Sequence, residues 1–289
     1  MKTKKISTLY TAMASMAVFG SGAFNTRFSY ENGVELLATV LMSAISALVL
    51  FISLKCVTSF KNKLVKINAQ KHFTPVFFLL SAVCLLSALY SLANLVLVLA
   101  NTVADKTGVG IIILALIIIV GMLTYYRRSV LLKFSGLCFV LCFALVILIF
   151  IFSYKYMSVK YLAINTFPSV NKLSARTAKL FVLEFLPVLL PIIVLFLNKH
   201  SSAMLGLGIG FGMLILTVAN TILIFSLPFA SGLSYPYLKA VDTVSIGENF
   251  FRMSAAVYPI ALFPGVIRVA IQLAASAELF FKAKKIRKI

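Results

Sequence analysis

Hydrophobic positions in this chain come in long unbroken runs, not in the alternating or one-faced patterns of soluble strands and helices. Eight runs stand out, near residues 6–24, 34–54, 74–100, 108–125, 134–154, 180–197, 203–227 and 254–281. A run of roughly 17 to 25 apolar residues crosses the hydrocarbon core of a bilayer as a helix. A helix also satisfies its own backbone, as lipid demands. The ten-residue alternation of a membrane barrel is absent. The pattern therefore predicts an all-α polytopic membrane protein with about eight transmembrane helices. No segment between the runs is long enough to hold a core of its own, so residues 1–289 read as a single integral membrane domain.

Composition agrees and charge adds an orientation. The chain is 62% hydrophobic and 12% charged, with a mean hydropathy of +1.06, whereas soluble domains carry about 25% charged residues. A net charge of +20 raises nucleic acid as a partner, but the basic residues are distributed as membrane topology requires. Lys2, Lys4 and Lys5 precede the first run, Lys55 to Lys71 follow the second, and Arg127, Arg128 and Lys133 follow the fourth. Lys199 follows the sixth, and Lys282 to Lys288 close the chain. Glu31, Glu35, Asp105, Asp242 and Glu248 occupy the opposite loops. Eight spans then put both termini in the cytoplasm, and the bilayer, not nucleic acid, is the partner.

One loop departs from that rule. Residues 155–179 carry Lys155, Lys160, Lys172, Arg176 and Lys179 on the expected outer side. Tyr154, Tyr156 and Tyr161 suit a segment lying partly in the headgroup layer. The N-terminus also permits a second reading, because a basic start, a short apolar stretch and Ser21-Gly22-Ala23 match a secretory signal and its cleavage site. Cleavage would leave seven spans. Retention is the reading adopted, since Gly20-Ser21-Gly22 has another use.

Chemistry is concentrated in a few polar residues. Glu184 stands alone in LFVLEFLPVLLPIIVLFL, with Pro187 and Pro191 beyond it. A charged side chain at the bilayer centre is penalised by about 2.5–3.5 kcal/mol on insertion scales, so it needs a partner, a proton or a cavity. The prolines deprive the carbonyls of Leu183 and Pro187 of their helical donors. The plain alternative is a kinked helix with a protonated Glu184. Gly20, Ser21 and Gly22 interrupt the first run, where glycine permits a helix break whose free amides suit a carboxylate; close packing is the alternative. Arg268, with Gln272 one turn on, sits in the last run behind Pro259 and Pro264. It either faces the cavity of Glu184, snorkels toward a headgroup or pairs with Glu278. Gly206, Gly208, Gly210 and Gly212 form two overlapping small-xxx-small pairs, read as helix packing.

No phosphate cradle, nucleophile elbow or catalytic constellation is present, so an enzyme has no support. Cys56, Cys84, Cys138 and Cys142 show neither a disulfide framework nor zinc spacing, and no cofactor or metal is implied.

In order along the chain, five segments resemble the B subunits of GerA-type spore germinant receptors, within the amino acid-polyamine-organocation transporter superfamily. These are ISTLYTAMASMAVFGSGAF, TYYRRSVLLKFSGLCFV, NTFPSVNK, LFVLEFLPVLLP, and SYPYLKAVDTV through AIQLAASA. The family's scaffold is a LeuT-like bundle of ten helices in a five-plus-five inverted repeat, with helices 1 and 6 broken. Eight runs imply a truncated version without the last two. Arg252 is followed by Met253 and Ser254 where the family commonly has an acidic residue, and tryptophan is absent. The resemblance implies a subunit in the inner membrane of a spore or the cytoplasmic membrane, sensing a small molecule, typically an amino acid, with companion A and C subunits as partners. It implies that Gly20, Ser21 and Gly22 receive the ligand carboxylate. Glu184 and the carbonyls around Pro187 form the amine or ion side, and Arg268 balances charge. A proton- or sodium-coupled amino acid permease is the alternative.

Overall fold

A computed structural model describes residues 37–46, 48, 49, 52, 74–102, 108–125, 128–162, 169–182, 186, 191, 200–225, 236–243, 245, 246, 251, 252 and 254–287. Among them the chain is almost wholly helical. Helix α1 is Leu37–Ser46, α2 is Thr74–Thr102, α3 is Val109–Tyr125 and α4 is Arg128–Ser153. Two short 3-10 turns, Tyr154–Tyr156 and Val159–Leu162, lead to α5, Val170–Leu180. Helices α6, His200–Phe225, α7, Pro236–Thr243, and α8, Ser254–Arg287, complete the set. Four stretches are long and apolar enough to cross a membrane: Pro75–Asn101, Lys133–Tyr156, Gly208–Phe225 and Leu262–Phe281. Helices α1 and α3 are apolar but shorter. The protein is thus an all-α membrane-embedded chain. The expected run at 6–24 and most of that at 180–197 lie outside the described residues.

The boundaries follow local chemistry. Proline is tolerated in a first turn because its missing amide would have no helical partner there, and Pro75 and Pro236 open α2 and α7. The carbonyl of Gly108 starts α3 by accepting from the amides of both Ile111 and Ile112, at 2.9 and 3.4 Å. Beyond α5 the backbone widens into a π turn at Phe181–Val182. The chain between α7 and α8 forms a small antiparallel hairpin, with Ser245 opposite Arg252 and Ile246 opposite Phe251.

Helix α8 is the hub, packing on α2, α3, α4 and α7. Every residue from Pro264 to Gln272 is buried, so this stretch is enclosed on all sides. Its closest partner is α2. Ser81 Oγ donates to the Ser276 carbonyl at 2.9 Å, and Ser276 Oγ donates to the Ser81 carbonyl at 2.9 Å. The two hydroxyls are 3.1 Å apart. Phe78 meets Phe280 edge to face at 5.6 Å. Moving back along α2 means moving forward along α8, so the helices run antiparallel. Small residues permit the approach: Ser81, Cys84, Ala88 and Ser91 recur at alternating intervals of three and four on the buried face of α2.

The buried face of α4 repeats the same interval through Leu131, Ser135, Cys138, Cys142, Leu145 and Ile149. Cys138 and Cys142 therefore serve as small seam residues. Helix α3 buries only Ile112, Leu116 and Val120 and turns the rest of its apolar surface outward.

Candidate functional site

The polar centre of the bundle lies on α8. Arg268 is 5% exposed and Gln272 is 0% exposed, one turn apart on the same face. The pairing of Ser81 with Ser276 and of Phe78 with Phe280 sets the register. Extended along α8, it brings Gln272 level with Leu85 and Leu86, next to the buried Cys84, and Arg268 level with Leu89 and Tyr90, next to the buried Ala88. Those α2 positions are the middle of the span Pro75–Asn101, while Arg268 and Gln272 flank the middle of Leu262–Phe281. A guanidinium and an amide are thus held at mid-depth, where the facing helix offers Cys84, Ala88 and Ser91 in place of bulky side chains. Both residues take part in interactions within the protein.

Two of the three expectations for Arg268 are settled by this placement. Snorkelling would leave the side chain at the lipid surface, and it is enclosed. Direct pairing with Glu278 is ruled out by spacing, since ten residues of helix separate the two by about 15 Å along the axis, beyond the reach of two side chains. An inward-facing arginine remains. Pro264, buried one turn before Arg268, also leaves the Ile260 carbonyl without its helical donor, adding a backbone acceptor near the same stretch.

Helix α6 carries a second buried polar strip. Gly206, Gly210, Met213, Thr217 and Asn220 share a buried face at three- and four-residue spacing. The threonines are satisfied locally, Thr217 Oγ1 donating to the Met213 carbonyl at 2.8 Å and Thr221 Oγ1 to the Thr217 carbonyl at 2.9 Å. Asn220 is different: it is 0% exposed, and among the described residues neither its amide nitrogen nor its oxygen has a hydrogen-bond partner. Leaving such a group unmet in the interior costs about 1–3 kcal/mol. One turn on, the Leu223 carbonyl accepts from the Ser158 amide at 3.0 Å, which ties the 3-10 segment to the end of α6.

The short helix α7 wedges against α6 and α8. Tyr258 of α8 donates its hydroxyl to the Leu238 carbonyl at 3.2 Å. Tyr237 is buried, and burial raises its phenol above the ordinary tyrosine range, with Cys142 of α4 adding to the effect. It remains a neutral hydroxyl across any working pH.

Of the site residues expected from sequence, the structure places Arg268 in the interior. Gly20, Ser21, Gly22, Glu184 and Pro187 lie outside the described residues, so their approach to Arg268 is not described. The π turn at Phe181–Val182 stands directly ahead of Glu184 in the chain, and such turns recur at functional sites. Pro191 is helical and buried. Of the two glycine pairs, Gly206 and Gly210 face inward, whereas Gly208 and Gly212 have no neighbouring atom within 4 Å of the point where a Cβ would stand. Asn220 is a residue that sequence reasoning misses. Its signal is that it is the one amide side chain in the run 203–227, but the glycines are the more conspicuous feature of that run. Among the described residues no group of three His, Cys, Asp or Glu side chains converges as metal ligands would. Comparisons with protein-family models, curated proteins and solved structures returned no match to this chain.

Proposed function

We propose that this chain is a ligand-sensing integral membrane subunit that holds a small zwitterion, an amino acid by preference, in a polar site at mid-depth of the helix bundle. The observation that carries the reading is the burial of Arg268 beside Gln272 in the enclosed part of α8. Intramembrane ionisable residues are rare and costly, and they mark ligand or ion paths. In this reading Arg268 and Glu184 supply opposite charges to the site, and Gly20, Ser21 and Gly22 supply free amides for a carboxylate. The ordered segments that resemble GerA-type B subunits name the system as germinant sensing, with A and C subunits as companions. That assignment rests on those segments alone; the comparisons add nothing to it. The antiparallel packing of α2 on α8 agrees with the parity of the eight-span order, which has five crossings after the run 74–100 up to and including 254–281.

The test is a thermal-shift screen of purified protein against a panel of L-amino acids. At least one raises the melting temperature of the wild type, and Arg268→Gln and Glu184→Gln each abolish that shift. A panel with no stabilising member, or full shifts in both variants, overturns the site. Combining the two substitutions separates coupling from coincidence: linked groups give a double variant far from additive. Concentrative uptake of the same amino acid by proteoliposomes would replace sensing with permeation.

A further inference from the structure

The charged residues of the segment between α4 and the π turn are all basic. From Lys106 to Leu183 the chain contains no acidic residue. Lys155 and Lys160 lie in the two 3-10 turns, and Lys172 and Lys179 on α5; all four are exposed. Arg176 continues the α5 stripe at the same three- and four-residue interval. The apolar strip of α5, formed by Leu173, Thr177 and Leu180, packs inward, so the helix is anchored to the bundle by one side while its cations flank the other. The 3-10 segment is anchored too, through Ser158 and Leu223.

Aromatic and apolar groups are interleaved with these cations on the outer surface. Tyr154 is 75% exposed and Val159 is 78% exposed, and Tyr156 and Tyr161 are also exposed. Tyrosine at a membrane boundary places its ring among the acyl chains and its hydroxyl at the headgroups. Lysine lets its stem follow apolar surface while its ammonium reaches outward. A lone basic loop needs no such neighbours, whereas tyrosine rings set among lysine stems match the belt that membrane proteins place at the headgroup layer.

We propose that the 3-10 turns and α5 form a fixed platform for anionic phospholipid headgroups, with Lys155, Lys160, Lys172 and Lys179 binding the phosphates and Tyr154, Tyr156 and Tyr161 seating the platform at the headgroup level. Each lysine near an anionic leaflet adds attraction that falls off within a Debye length. The platform also accounts for the basic loop that departs from the topology rule: its cations serve lipid contact at that face and say nothing of which side is cytoplasmic. It is independent of the mid-depth site, since neither set of residues contributes to the other.

The experiment uses the full-length protein in neutral detergent, with phosphatidylglycerol, phosphatidylcholine or inorganic phosphate added. Melting temperature and the lipid retained in native mass spectra are read together. Phosphatidylglycerol raises the melting temperature by several degrees and stays bound, an effect that weakens with salt; phosphatidylcholine and phosphate do neither. Replacing all four lysines, Lys155→Gln, Lys160→Gln, Lys172→Gln and Lys179→Gln, cuts retained phosphatidylglycerol at least about two-fold, on the scale of charge attraction lost from the surface. Arginine at the same four positions restores it. Should the quadruple variant not fold, Lys172→Gln with Lys179→Gln gives a smaller loss of the same kind. Retention equal to wild type in a folded variant overturns the platform, as does an equal shift from phosphate alone. Loss of a co-purifying acidic protein with lipid retention intact would assign the face to a protein partner and overturn it equally.

Discussion

Helices α3 and α8 both read from sequence as apolar spans, yet they do opposite work. Helix α3 is mostly isoleucine, leucine and valine, and it buries little beyond Ile112, Leu116 and Val120. Helix α8 contains two prolines, the buried Arg268, a glutamine and several alanines, and its stretch from Pro264 to Gln272 is entirely enclosed. In water the order would be reversed, because burial follows hydrophobicity. Lipid tails are as apolar as leucine, so no such force sorts helices within a bilayer. What earns an interior place is the ability to approach closely and to hydrogen-bond, and α8 has both. The least apolar of the four long spans is accordingly the most buried.

The sharpest way to break this contrast is to remove the charge at the hub. Arg268→Leu is expected to destabilise the protein by about 3 kcal/mol, because the groups that engage the guanidinium are left buried without it. Leu114→Ala on α3, where the side chain faces outward, stays within about 0.5 kcal/mol. Unfolding by titration with a denaturing detergent measures both. Equal losses at the two positions would show that α8 is no more central than α3.

The next largest effect probes the close approach of α2 and α8. Ser276→Leu forces a bulky chain into a contact where hydroxyls reach across to carbonyls at 2.9 Å, and overpacking of this kind costs about 2 kcal/mol. Ser276→Ala removes only hydrogen bonds, worth about 0.6 kcal/mol each in membrane proteins. The ratio of the two losses is the informative quantity: a larger loss for alanine would mean that hydrogen bonding, not proximity, holds the pair.

Asn220 turns the comparison around, since it is polar and buried with no compensating bond among the described residues. Asn220→Leu replaces an unmet amide by an apolar chain of the same branched shape, so the variant is expected to be more stable by about 1 kcal/mol. A fall in stability would mean that the amide meets a bound group in the folded protein. A gain accompanied by loss of amino acid response would place Asn220 among the functional residues.

Much of this fold is legible in the chain. The runs near 74–100, 108–125, 134–154, 203–227 and 254–281 fall on α2, α3, α4, α6 and α8, because uninterrupted apolar length is a strong signal. The ends are less legible: α4 begins at Arg128 and α8 runs to Arg287, since basic residues continue a helix beyond the hydrocarbon layer at no backbone penalty. The faces are not legible at all. In a run where every residue is apolar, periodicity has nothing to mark, so Ile112 and Ile113 look alike although only the first is buried. Helix α5 reads as loop in the sequence because its apolar strip, Leu173 with Leu180, is too sparse to form a run. For the site, Arg268 is visible as an expensive residue, but choosing among lipid, Glu278 and the interior requires the register of α2 on α8.

The smallest predicted effect concerns the glycines of α6, which sequence presents as equivalent. Gly212 has open space around it, so Gly212→Ala meets no neighbour and gains from the lower backbone entropy of alanine in a helix, about 0.5 kcal/mol. Gly210 is buried, and the expected outcome there is that crowding of the added methyl against the interior offsets the same gain. Thermal unfolding of the two variants side by side reads the difference. If both gain equally, the inward face of α6 is as loosely packed as its outer face, and the distinction drawn between α3 and α8 does not extend to α6. If Gly210→Ala loses while Gly212→Ala gains, proximity governs a third helix of the bundle, on the same face that carries Thr217 and Asn220.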